Sequence, residues 1–172
     1  SALGIRHNTR GHTKGRRGLV RYADDLVVFC ESKEDAQKAQ EEMSQWLATR
    51  GLQLSSEKTR IVHLEEGFDF LGFNIRQYPA LQTGHGGWKL IIKPSKEAVM
   101  RLRRRLREEW RRCVGSNIAT VLVRLNPIIR GWANYYHTCC AKETFKKLDD
   151  WMYHRCVRYV KRTHPLKPWK WL

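Results

Sequence analysis

The chain has 172 residues, 41% of them hydrophobic, enough for one ordinary domain or two small ones with real cores and a share that fits a soluble globular protein. Its 33 Lys and Arg against 17 Asp and Glu leave a net charge of +16, which points to a polyanionic partner, nucleic acid ahead of an anionic membrane surface. No stretch approaches the roughly 18 apolar residues of a membrane span and the start lacks a charged-then-apolar signal, so the expectation is a cytoplasmic protein without a membrane partner.

Residues 1–17 are polar and basic, with three glycines and no apolar period, and read as a loop or frayed end. The chain opens on Ser1 rather than Met, as a fragment would. Gly18 to Glu31 then reads GLVRYADDLVVFCE, two short β-prone runs (Leu19 to Tyr22, Leu26 to Phe29) joined by a tight turn that carries Asp24 and Asp25. Neighbouring carboxylates repel, and a bound divalent cation, magnesium first, is a natural way to offset their charge. An ordinary solvated turn is the other reading, since Asp is a common turn residue.

Ser32 can cap a helix with Asp35 at its third position, and Ala36, Ala39, Met43, Trp46 and Leu47 recur at helical spacing until Gly51 stops it. Glu34, Asp35, Glu41 and Glu42 fall on its outer face. Gly51 to Thr59 is a turn and short extended piece holding Lys58, and Ile61 and Val62 favour a strand over Arg60 to Leu64. Gly67 to Ile75, GFDFLGFNI, alternates well enough for a strand, in which Gly72 marks a bulge or a close backbone approach. A return strand through Trp88 to Ile92 follows a flexible loop over 83–87.

From Lys93 the character changes. Pro94 and Ser95 open a helix with an apolar stripe of Val99, Leu102, Leu106 and Trp110. Around it stand Arg101, Arg103, Arg104, Arg105, Arg107, Arg111 and Arg112, which repel one another unless phosphates neutralise them. Residues 71–172 carry 22 basic and six acidic side chains, so the helical part is the polyanion binder. A second helix spans about Asn117 to His137, with Ile118, Val121, Leu122, Leu125, Ile128, Ile129 and Trp132 inward and a kink or break before Pro127. A third spans about Lys142 to Lys161, with Phe145, Leu148, Met152, Cys156 and Tyr159 inward. The three shield each other's apolar faces in a small bundle. Beyond Thr163, Lys167 and Lys170 interleave with Trp169 and Trp171, in a tail that either stacks on unpaired bases or caps the bundle.

Cys30, Cys113, Cys139, Cys140 and Cys156 make an odd count without a CxxC pair, which argues for reduced packing thiols. A zinc site from His137, Cys139, Cys140, His154 and Cys156 fits no standard spacing.

Four strings carry a resemblance. Tyr22-Ala23-Asp24-Asp25 resembles the YxDD box of reverse transcriptases; Gly51 to Thr59 the GLxLSxEKT block and Phe68 to Phe73 the FxFLGF block of group II intron reverse transcriptases; and Asn126 to Tyr136 (NPIIRGWANYY) the signature of the maturase thumb, domain X. They occur in the order that the family uses. The resemblance implies an α+β fold: residues 18–93 as the C-terminal half of a palm, antiparallel hairpins plus a helix, and 94–172 as an α-helical thumb.

In function it implies part of an RNA-directed DNA polymerase that also binds intron RNA, with RNA template, DNA primer and deoxynucleoside triphosphates as partners. Asp24 and Asp25 would be ligands of Mg2+, two ions in the complete site. Tyr22 and Ala23 would lie at the primer end, Lys58 at the triphosphate, Gly72 and Phe73 on the primer, and the seven arginines with Arg130 on nucleic acid. Nothing before Gly18 resembles the fingers or the palm strand that carries a further aspartate, so the chain alone is expected not to polymerise. A truncated palm would also expose a sheet edge, which points to a homodimer. A non-catalytic RNA-binding maturase module is the alternative function, and a DNA-binding protein with a chance YADD a third.

Overall fold

The computed structural model describes residues 6–7, 13–14, 17–80, 87–168 and 170. Two compact units emerge, 1–62 and 63–172. The change of character at Lys93 therefore separates sheet from helix without separating compact units.

In the first unit, β1 (Arg6–His7) and β2 (Thr13–Lys14) form a short antiparallel ladder where a loop was expected. Strands β3 (Gly18–Tyr22) and β4 (Asp25–Phe29) form the expected hairpin, with Tyr22 opposite Asp25. Helix α1 (Lys33–Ala48) starts at Ser32, whose side chain accepts from the Asp35 amide, and ends at Gly51 in a left-handed conformation with the Leu52 amide reaching back to the Leu47 carbonyl. Ala39 is buried against Leu19, Val28, Cys30 and Met43, which seats the helix on the hairpin. Two of the carboxylates expected to face solvent are engaged: Arg17 pairs with Asp35 and Glu42, both at 2.7 Å. The strand expected over Arg60 to Leu64 does not form; the segment is irregular, and the Leu64 carbonyl takes one bond from the Gln77 amide, too little for a ladder.

The second unit opens with a three-stranded antiparallel sheet, β5 (Phe68–Phe70), β6 (Phe73–Pro79) and β7 (Trp88–Pro94), in sequence order. The single strand expected over Gly67 to Ile75 is in fact a hairpin. Phe70 pairs with Phe73 across a two-residue turn, and Leu71 and Gly72 both take positive φ, 50° and 81°. That is the φ pattern that matches the twist of a tight hairpin. The return strand is as expected, while residues 83–86 of the expected loop lie outside the described residues.

Helices α2 (Lys96–Arg112), α3 (Ile118–Tyr136) and α4 (Lys142–Thr163) follow. Ser95 and Asn117 cap the first two by accepting from the Ala98 and Thr120 amides. Leu102, Leu106, Cys113, Val121, Leu125 and Leu148 form the core, with Trp110, Trp132, Trp151 and Tyr159 packed around it. Helix α3 runs through Pro127 without the expected break, because its packed stripe, with Leu125 buried and Ile128 half-buried on either side of the proline, holds it in register. Ile118, Leu122 and Cys156 were expected inward and are exposed, since two neighbouring helices cover only one stripe of each partner. Trp169 and Trp171 of the tail lie outside the described residues. The fold is thus α+β as expected, and no described helix is long and apolar enough to cross a membrane.

Candidate functional site

The β3–β4 hairpin presents its acidic pair at the bend. Its two connecting residues are Ala23 and Asp24, and Ala23 adopts a φ of 50°, a conformation that an L side chain rarely holds. The Arg21 Nε donates to the Ala23 carbonyl at 3.0 Å, bracing the turn instead of neutralising a carboxylate. Asp24 and Asp25 are exposed, and among the described residues neither has an ion-pair partner. Tyr22 is 64% exposed beside them, an aromatic ring with no core to occupy.

Two adjacent carboxylates offer hard oxygen ligands of the kind that a divalent cation takes. No group of three or more His, Cys, Asp or Glu able to hold a metal occurs among the described residues. By themselves the two carboxylates are fewer ligands than a divalent cation takes. Lys58, in the same compact unit, sits in a turn in which its amide donates to the Ser55 carbonyl. Its side chain is exposed and forms no ion pair among the described residues.

In the second unit, the turn at Leu71 and Gly72 is held from α3. The Tyr135 hydroxyl donates to the Leu71 carbonyl at 3.0 Å and the Tyr136 hydroxyl to the Gly72 carbonyl at 3.1 Å. The Ser95 amide donates to the same Gly72 oxygen at 2.8 Å. Phe73 packs its ring on both tyrosines, with centroids 5.1 and 4.9 Å away. A Cβ on Gly72 would stand 2.6 Å from the Tyr136 hydroxyl, so the close approach expected at this glycine is to a side chain, within a turn. Burial pushes the Tyr136 phenol above its usual pKa, keeping it a donor. Sequence reasoning quoted both tyrosines within a motif but gave them no role; two adjacent aromatic residues carrying hydroxyls on one helix were the signal.

The arginines of α2 do not form one uniform face. Arg112 pairs with Glu109 at 2.7 Å and Arg101 with Glu97 at 3.8 Å, while Arg124 of α3 reaches the other Glu109 oxygen at 3.7 Å. Arg103 and Arg107 turn toward Trp151 on α4, where Arg155 joins them. Arg104, Arg105, Arg111 and Arg130 are exposed and have no ion-pair partner among the described residues. Trp151 and Arg155 were overlooked in the sequence because their role depends on α4 lying beside α2.

Comparison with known proteins agrees with both halves. Residues 5–75 match the reverse transcriptase (RNA-dependent DNA polymerase) family, and residues 99–172 match the group II intron, maturase-specific domain. The chain is also similar to the group II intron-encoded protein LtrA of Lactococcus lactis subsp. cremoris, at 25% identity over 171 residues, covering 84% of this chain. The same protein from strain MG1363 gives the same figures. The chain spans 28% of the length of these curated relatives.

Proposed function

From a segment that matches the reverse transcriptase family followed by one that matches the maturase-specific domain, we propose that this chain is part of a group II intron reverse transcriptase and maturase, to which it contributes the metal-binding hairpin, the primer-contacting turn and the RNA-binding thumb of an RNA-directed DNA polymerase. The observation that carries this reading is the strained hairpin that holds Asp24 and Asp25 exposed and without an ion-pair partner among the described residues. Rigid apolar strands keep the two carboxylates together, at a cost in repulsion that a cation would remove.

Asp24 and Asp25 would hold Mg2+, two ions once the other ligands of the complete site are present. Divalent metals supply charge stabilisation at the attacking and leaving oxygens of phosphoryl transfer. The chain's own residues do the rest of the work assigned to it here. Tyr22 and Ala23 shape the floor on which the end of a DNA primer rests. Lys58 offers a compact ammonium to the triphosphate of the incoming nucleotide. Gly72 and Phe73, held rigid by Tyr135 and Tyr136, form the lip that bears on the primer strand. Arg104, Arg105, Arg111 and Arg130 face RNA, whether template or intron.

Two carboxylates on one hairpin leave a metal set incomplete, so the chain by itself does not polymerise under this reading; fingers and the first palm strand complete it. We place the assembly in the cytoplasm, where thiols such as the exposed Cys140 and Cys156 stay reduced. Trp88, Leu90 and Ile92 lie exposed on one face of β7, and a second copy pairing there would cover them. Light scattering at high concentration tests that pairing: a dimer is expected, and a clean monomer contradicts it.

A non-catalytic maturase module is the second reading. It is favoured by the arginine-bearing helices belonging, with a core of their own, to the second compact unit while the acidic hairpin belongs to the first, so that RNA binding does not require the hairpin. Asp24→Ala separates the two. Polymerase function predicts loss of DNA synthesis by the complete enzyme with RNA affinity unchanged; the module predicts that no synthesis exists to lose.

A further inference from the structure

Three guanidinium groups converge on one indole at the seam of α2 and α4. Arg155, Arg107 and Arg103 lie 5.2, 5.6 and 5.7 Å from the ring centroid of Trp151. None of the three has an ion pair among the described residues, although Glu109 on the same helix engages Arg112 and Arg124. Arg103 spends one amino group on the Lys147 carbonyl at 3.4 Å and keeps its Nε buried without a partner. The ring face of Trp151 attracts cations, and it stands beside the Lys147 carbonyl in place of a carboxylate.

Burial, together with the neighbouring Arg107, Arg158 and Arg111, pulls the Arg155 pKa below its usual value, as expected where cations are crowded and no anion stands among them. Arg103, Arg107 and Arg111 follow one another at steps of four residues, which sets them about 6 Å apart along the helix axis. A row of that kind suits consecutive anionic groups on a strand better than one small anion.

We infer that the α2–α4 seam around Trp151 is a second RNA-contact site, in which Arg107 and Arg155 hold phosphodiester groups of an RNA strand and Trp151 fixes the guanidinium planes. The site rests on the proposal that the helical unit binds RNA, and extends that surface onto α4. Planar guanidinium forks donate paired hydrogen bonds to phosphate oxygens, and the phosphates provide the counter-charge that the fold omits.

Fluorescence anisotropy of a labelled RNA hairpin with single-stranded flanks, titrated with the whole chain at several salt concentrations, tests the site. Arg107→Gln/Arg155→Gln is expected to weaken binding about tenfold or more at physiological salt and to lower the slope of log affinity against log salt by about two. Its thermal midpoint stays level or rises, because two repelling charges are gone. Wild-type affinity and slope in that variant, with binding lost instead in Arg104→Gln/Arg105→Gln, would overturn the site and leave the RNA reading standing. Absence of RNA binding by the unaltered chain would overturn both. Arginine-selective modification of the wild-type protein, read by mass spectrometry, removes any dependence on a variant's folding: RNA should protect Arg107 and Arg155 several-fold, and equal modification with and without RNA contradicts the site.

Discussion

Ala23 and Leu71 share an uncommon property, a φ of 50° on a residue with a side chain, and each sits at the first position of a two-residue hairpin turn. Left-handed backbone costs an L residue roughly 1–2 kcal/mol, partly offset in glycine by its larger entropy loss. Ala23→Gly should therefore stabilise the first unit by about 1 kcal/mol in denaturant titration, and the proposed function predicts that it leaves the acidic pair in place. At the second turn, the strain of Leu71 is held by the Tyr135 hydroxyl, and Gly72 is fitted beneath Tyr136. Tyr136→Phe should cost only about 1 kcal/mol, because the Ser95 amide still serves the Gly72 carbonyl. Gly72→Ala should cost about 2 kcal/mol or more, since its Cβ meets a hydroxyl whose ring is buried and cannot swing away. The Asp24 and Asp25 turn was legible in the sequence because its chemistry is local. The Leu71 turn was not: leucine gives no turn signal, and Phe68, Phe70, Phe73 and Ile75 look almost the same along a strand as they do across a hairpin.

Among the elements, the helices were legible and their exposed faces were not. Apolar spacing, with Ser32 as a cap and Pro94 and Ser95 as an opening, marked the helix starts within a residue or so, since caps and periodicity are properties of the segment itself. Which of two apolar stripes a neighbour covers is decided by packing, so Ile118 and Leu122 were misplaced. Leu106 lies at the centre of the three-helix core at 1% exposure, and Leu106→Ala should cost about 2–5 kcal/mol of the stability of the second unit, measured in denaturant. Helix α1 gives a pH prediction. The Arg17 guanidinium holds the Asp35 carboxyl below its usual pKa. A carboxylate lowered in the folded state contributes stability that is present above its unfolded pKa of about 4 and is lost as pH falls through the folded value. Thermal melts from neutral pH down to about pH 2 should therefore show an acid-dependent loss in the wild type that is smaller in Arg17→Gln. An identical loss in both would contradict the pairing.

At the scale of the molecule, the charge distribution points to a polyanion binder, which stays part of the proposed function, and the order of the four motifs pointed to the α+β fold that the structure bears out and to the two families that match. Composition could not reveal that the arginines of α2 divide between ion pairs, free positions and the indole of Trp151, because that division depends on which helix lies alongside. The most direct test of the proposed function is RNA-templated primer extension with magnesium and deoxynucleotides, by the chain alone, by the chain mixed with the fingers and first palm segment that the proposed function calls for, and by the same mixture carrying Asp24→Ala. The account predicts synthesis in the wild-type mixture only, with the Asp24→Ala mixture silent yet binding RNA as tightly as before. Synthesis that survives Asp24→Ala would contradict it.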